Sequence, residues 1–265
     1  MKNKMSNNET KKYNMREFLA FTGASVLEDG KCVFVGTGLP MIAGILAQKT
    51  HAPHLLIIFE AGGVGPILTE LPISVGQELT FHKGITATSM HDVMSSCQAG
   101  FVDYGFLGGA QMDMYGNINT TCIGDHDHPK TRLPGSGGAN DIASFAHKTI
   151  LIIGGQSKRT FVNKVDFLTT PGYLDGPGAR EKAGLPQGTG PHRVITQLAI
   201  FGFDDKTKRL KLISIHPGVT LEEIKDNCSF DIIIPEKYGI SAEPTDKDLD
   251  ILRTQIDPTG MMIGK

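Results

Sequence analysis

Several groups of residues in the 265-residue chain have the types and spacing to do chemistry. Glu60 comes first. It follows the apolar run HLLIIF (54–59) and precedes AGGVGP (61–66). The run reads as a buried strand, and a carboxylate at the C-terminal end of a parallel strand stands where open α/β sheets bind ligands. Glycines just after it leave space for another molecule. Partial desolvation raises a carboxyl pKa, and carboxylates serve as nucleophiles in covalent catalysis. The plainer alternative is that Glu60 merely caps a strand or pairs with a basic residue.

The turn GSGGAND (135–141) opens a helix. Backbone N–H groups freed at a glycine turn and a helix N-terminus form an oxyanion or phosphate cradle. The same residues also read as a plain turn with an Asn or Asp cap. Gly36-Thr37-Gly38 follows an apolar run, as a dinucleotide fingerprint does, and Glu60 lies 60 − 38 = 22 residues further on. The third glycine is missing, since Met41 stands in its place after Pro40, so a tight βα turn is the simpler reading. His126-Asp127-His128 has a metal-ligand pattern, but a zinc site needs three or four convergent ligands and nothing else in the chain has that spacing. Arg180, Lys182 and Arg193 lie in or beside a long Gly/Pro segment. They can reach substrate phosphates or serve as surface and interface charges.

The elements that must position these groups follow from periodicity. A helix is expected over 14–27, a strand over 32–35, a helix over 41–49 and a strand over 54–59. This is a βαβ unit with parallel strands and a right-handed crossover. A helix near 90–99, a strand over 104–107, a helix from about 140 and a strand over 149–153 come next. Residues 170–192 hold Pro171, Pro177, Pro186 and Pro191 among many glycines, too many breakers for regular structure. A stretch that long without regular structure is usually functional or an interface arm. Strands over 194–201 and 210–216, a helical turn over 221–226, a last strand over 231–234 and a C-terminal helix over 246–256 complete the pattern. The sum is one α/β domain, residues 13–265, with a mixed, mostly parallel sheet flanked by helices.

Composition narrows the function. Lys and Arg number 26 against 28 Asp and Glu, which argues against a general binder of nucleic acid or anionic membrane. No apolar run approaches the ~18 residues of a membrane helix. The polar N-terminus lacks a signal-peptide core, and residues 1–12 read as a disordered tail. Cys32, Cys97, Cys122 and Cys228 form no CxxC pair and suggest reduced, cytosolic thiols. Glycine is in excess, 32 of 265 residues, about 12% against a usual ~7%.

Taken together, these segments resemble the β subunit of the family I coenzyme A-transferases, whose fold is the NagB/RpiA/CoA-transferase-like α/β domain. The turn VGTGLP (35–40) is similar to the family's Gly-x-Gly-x-Pro turn. FEAGGVGP (59–66) stands where the family has its glutamate, although ketoacid members carry Ser-Glu-Asn-Gly there. LGGAQMDMYGNINT (107–120) resembles the Gly-Ala-x-Gln-Val-Asp segment with its following Gly-Asn-x-Asn. PGSGGANDI (134–142) resembles the Gly-x-Gly-Gly-Ala-x-Asp motif. With HAP (51–53), GPGAR (176–180) and GLPQGTGP (184–191), the likeness is greatest to the glutaconate branch. The resemblance implies that Glu60 is the nucleophile and that its glutamyl-CoA thioester is the ping-pong intermediate. It implies that the N–H of Gly137 or Gly138 faces the oxyanion and that the Asn119 amide hydrogen-bonds the same carbonyl. Gly36, Gly38, Gly62, Gly63 and Gly109 would then line the path of CoA, which is a substrate; no metal or redox cofactor is implied. A separate α subunit of similar fold would complete the site in a cytoplasmic hetero-oligomer. Two alternatives stay open: a hydrolase or decarboxylase on the same fold, with Glu60 as a base, and a non-catalytic module that binds a phosphate-bearing ligand.

Overall fold

A computed structural model describes residues 12–264. Its main sheet has ten strands. In chain order these are β1 (Cys32–Val35), β2 (Leu56–Phe59), β3 (Gly63–Val64), β4 (Thr86–Ala87) and β5 (Tyr104–Leu107). They continue with β6 (Lys148–Ile153), β7 (Pro191–Thr196), β8 (Ala199–Phe203), β9 (Leu210–Ile215) and β10 (Gly239–Ile240). Across the sheet the order is β10-β9-β8-β7-β6-β5-β1-β2-β3-β4. The central strands β2, β1, β5, β6 and β7 run parallel, and antiparallel strands flank them on both sides. The fold is the single mixed, mostly parallel α/β domain expected.

Both faces of the sheet are covered, which is why the central strands are apolar throughout rather than alternating. Val33, Val35, Ile57, Phe59, Tyr104 and Ile150 point to one face, where they pack on helices α1 (Met15–Ser25) and α2 (Leu39–Thr50) and on the C-terminal helix. Cys32, Phe34, Ile58, Leu107 and Leu151 point to the other, against α3 (Met90–Gln98) and α4 (Ala139–Phe145). Three helices begin at reciprocal caps, the C-terminal one at Thr245 and Asp248. Asn14 and Glu17 form a capping box on α1, as Ser89 and Asp92 do on α3.

Four expectations change. Residues 170–192, read as lacking regular structure, hold a helical turn at Ala179–Lys182, and β7 already begins at Pro191. The run read as one strand over 194–201 is two antiparallel strands, β7 and β8. The Thr196 hydroxyl accepts the N–H groups of Leu198 and Ala199 and turns the chain there. Residues 231–234 make only an isolated bridge, Lys211 to Ile233, and the edge strand is instead β10. The helix over 246–256 is present, but its second half, Ile251–Ile256, widens to a π-helix. Of the tail expected over 1–12, residues 1–11 lie outside the described residues, while Lys12 donates to Asp246 and accepts from Arg253.

Candidate active site

The parallel register places Val35 beside Phe59. Gly36 and Glu60, each one residue further on, therefore leave the sheet side by side, about 4.8 Å apart by ordinary strand spacing. Glu60 is half-buried, and no hydrogen bond or ion pair holds its carboxylate among the described residues. Gly36 and Gly38 both face open space; a Cβ built on either meets nothing within 4 Å. Gly38 caps α2 with φ +86°, ψ −142°, a conformation that disfavours any side chain.

The 135–138 turn also meets Glu60. A Cβ added to Gly138 would lie 2.8 Å from Glu60 Oε1 and 2.3 Å from Met94 Cε. The carboxylate thus rests against the start of α4, with a methionine of α3 as the neighbouring wall. Gly135 and Gly137 have φ of +93° and +49° and face open space. Ser136 closes the turn from within: its carbonyl accepts from Ala139 N–H and its hydroxyl from Asn140 N–H. The N–H groups of Gly137 and Gly138 have no partner among the described residues. The structure therefore brings Glu60, Gly36, Gly137 and Gly138 together at the C-terminal end of the parallel strands.

Other expected site residues do different work. Gly62 and Gly63 are buried against the chain itself. A Cβ on Gly62 would lie 1.9 Å from the carbonyl oxygen of Thr88, and one on Gly63 would lie 1.9 Å from that of Thr80. The space on the side-chain side of these two glycines is filled by backbone. Gly109 likewise admits its own chain, since a Cβ there would stand 2.1 Å from Ile118 Cγ2.

Asn119 is fully buried. Its amide nitrogen donates to Gln111 Oε1 at 2.7 Å and to the Cys122 carbonyl at 2.6 Å. An amide NH₂ has two donor hydrogens, so both are spent within the chain and none is left for a substrate carbonyl. Its own oxygen accepts from Thr121 N–H and Cys122 N–H. The segment LGGAQMDMYGNINT is therefore a frame. Gln111 links Asn119 to Asp166. Asp113 accepts from Tyr115 N–H, Asn117 N–H and the Asn117 amide. Burial pushes the Asp113 carboxyl up, against those three bonds, which pull it down. Thr120 then bonds Gly135 through both its hydroxyl and its carbonyl, so the frame ends on the turn beside Glu60.

His126-Asp127-His128 lies on an exposed hairpin, where His126 bonds Asp127 and stacks on Phe167. No group of three or more metal-ligating side chains occurs among the described residues. Lys182 is exposed, and Arg193 is half-buried and donates to the His192 carbonyl. Arg180 is neither a surface charge nor a phosphate hook: it is 2% exposed, and both its terminal nitrogens are bonded to its own chain. Met94 at the carboxylate had no signal in the sequence, because a methionine at helical spacing reads as core.

The coenzyme A transferase family model matches residues 20–227. The chain is 39% identical to the β subunit of glutaconate CoA-transferase from Acidaminococcus fermentans, covering 93% of each chain. It is 41% identical to the β subunit of 3-oxoadipate CoA-transferase from Pseudomonas knackmussii, over 91% of this chain and 92% of that one. The crystal structure of the A. fermentans glutaconate enzyme superposes with a TM-score of 0.90 at 37% identity, over 96% of this chain and 98% of that one. The decarboxylase AibA/AibB shares the fold at a TM-score of 0.80 and 24% identity, covering 95% of this chain and 99% of that one. With Glu60 set against the glycine turn in this fold, the chain belongs to the coenzyme A transferase family.

Proposed function

We propose that this chain is the β subunit of a heteromeric CoA-transferase. It moves CoA between acetyl-CoA, or a similar acyl-CoA, and a short dicarboxylate of the glutaconate type. The observation that carries this reading is the Glu60 carboxylate, which stands at the open end of β2 against Gly138 with no partner of its own among the described residues. Glutaconate and 3-oxoadipate, the acids named for two relatives, are both dicarboxylates, and this supports the substrate class.

The chemistry runs in balanced steps. The Glu60 carboxylate attacks the acyl-CoA carbonyl, the C–S bond breaks, and CoA leaves as the thiolate from a mixed anhydride. That thiolate attacks the glutamyl carbonyl of the anhydride. This forms the glutamyl-CoA thioester and releases the first acid as its carboxylate. The second acid attacks the thioester, and the same two exchanges in reverse return Glu60 and the new acyl-CoA. Each addition puts negative charge on a carbonyl oxygen, and the unpaired N–H groups of Gly137 and Gly138 stand beside Glu60 to meet it. One such donor is typically worth ~10²–10³ in rate. Asn119 acts through the frame rather than on the substrate.

An α subunit of similar fold holds much of the acyl group and completes the site. The four unbridged cysteines support a reducing, cytoplasmic setting. No described helix is long and apolar enough to cross a membrane.

Isotope exchange tests the reaction class. The complex with its α subunit should exchange labelled acetate into acetyl-CoA with no second acid present, and should consume no acetyl-CoA overall. Steady loss of acetyl-CoA without an acceptor would indicate hydrolysis and sink the transferase reading.

A further inference from the structure

The buried guanidinium of Arg180 belongs to the long Gly/Pro segment, yet it reaches the helix that meets Glu60. Nη1 donates to the carbonyls of Pro171 at 3.2 Å and Gly172 at 2.7 Å. Nη2 donates to the carbonyls of Ala143 and Ser144, both at 3.1 Å, and to Thr189 Oγ1 at 2.8 Å. No carboxylate pairs with it among the described residues. Burial pulls its pKa down, the expected result for a cation taken out of water.

A buried, unpaired cation is costly, and here its acceptors say what it does. Ala143 and Ser144 lie in the last turn of α4, whose carbonyls have no partner further along the helix. A cation suits that end of a helix. The other end of α4 begins at Gly138, against Glu60 Oε1. Seven residues make a rod of about 10 Å, so the clamp and the carboxylate sit at opposite ends of one short, rigid element. The middle of the rod is seated by Gly105 of β5, where a Cβ would strike Ile142 Cγ2 at 2.3 Å.

Resting on the reading of Glu60 as nucleophile, we propose that Arg180 is a positioning residue. It ties the 171–189 segment to the C-terminal turn of α4, and so fixes where Gly137 and Gly138 stand relative to the Glu60 carboxylate. Lysine offers a point charge in place of a planar fork and cannot reproduce a clamp on five acceptors.

The test uses Arg180→Lys and Thr189→Val, each assembled with the α subunit and mixed with acetyl-CoA. The intact-chain mass gives the fraction of sites that carry CoA covalently, and rapid quenching gives the labelling rate per site. In Arg180→Lys the labelled fraction should stay near that of the wild type while the rate per site falls about 10–100-fold. In Thr189→Val the rate should fall several-fold. A rate per labelled site equal to wild type in both variants would overturn the proposal, whatever happens to the labelled fraction. If Arg180→Lys does not fold, the Thr189→Val rate decides alone. Absence of label in the wild-type complex is a different failure, because it removes the Glu60 reading itself.

Discussion

Two glycine-rich turns flank Glu60, and they use glycine in opposite ways. In the turn after β2, Gly62 and Gly63 are packed against the carbonyls of Thr88 and Thr80, at distances no Cβ can tolerate. Those atoms are backbone and cannot move aside. In the turn before α4, Gly135 and Gly137 face open space, and the atoms nearest a Cβ on Gly138 are the flexible ends of Met94 and Glu60. The first turn is an internal joint that holds the loops at residues 80 and 88 against the sheet. The second is a surface kept bare next to a carboxylate. A glycine run thus says that something approaches closely, and only the fold says whether that is the chain itself or a substrate.

The same substitution made in both turns should separate these roles. Gly62→Ala and Gly63→Ala force a backbone clash, and Gly62 also has φ +113°. Overpacking of this kind costs about 1–3 kcal/mol, occasionally more, so both variants should unfold at a urea midpoint lower by about 1 M. Near-native midpoints would erase the difference between the two turns. Gly138→Ala has an ordinary φ of −77°, and its clash falls on side-chain ends. The variant should keep its urea midpoint yet lose about 10²-fold in kcat, because its Cβ displaces the carboxylate. Full activity there would mean that the Gly138–Glu60 contact has no role. Gly36→Ala needs no backbone change and meets no atom. It should leave stability unchanged and raise KM for acyl-CoA by about 3–10-fold if pantetheine passes that turn. An unchanged KM would take Gly36 out of the site.

The order of elements and the place of Glu60 were legible in the sequence because both rest on local signals. Apolar runs of four to six residues, capping residues and glycine breaks mark β1, β2, β5, β6 and their helices almost to the residue. The β7–β8 corner was not legible, since a threonine hydroxyl turning two N–H groups leaves the apolar pattern unbroken. The surroundings of Asn119, Gly62, Gly63 and Gly109 were not legible for a common reason. Each is set by contacts that the fold makes, and residue type alone does not show whether an amide or a bare Cα faces inward or outward. Arg180 illustrates the same limit. A lone arginine in a loop of prolines and glycines reads as exposed until the loop is seen to fold around it.

The proposed mechanism turns on a covalent link between Glu60 and CoA. Peptide mass spectrometry reads that link: the assembled complex is incubated with acyl-CoA, reduced with borohydride and digested. Reduction of a glutamyl thioester turns the side-chain carboxyl into an alcohol, so a mass loss of about 14 Da is expected, confined to the peptide that holds Glu60. No change at Glu60, or full turnover in Glu60→Ala, would contradict the link.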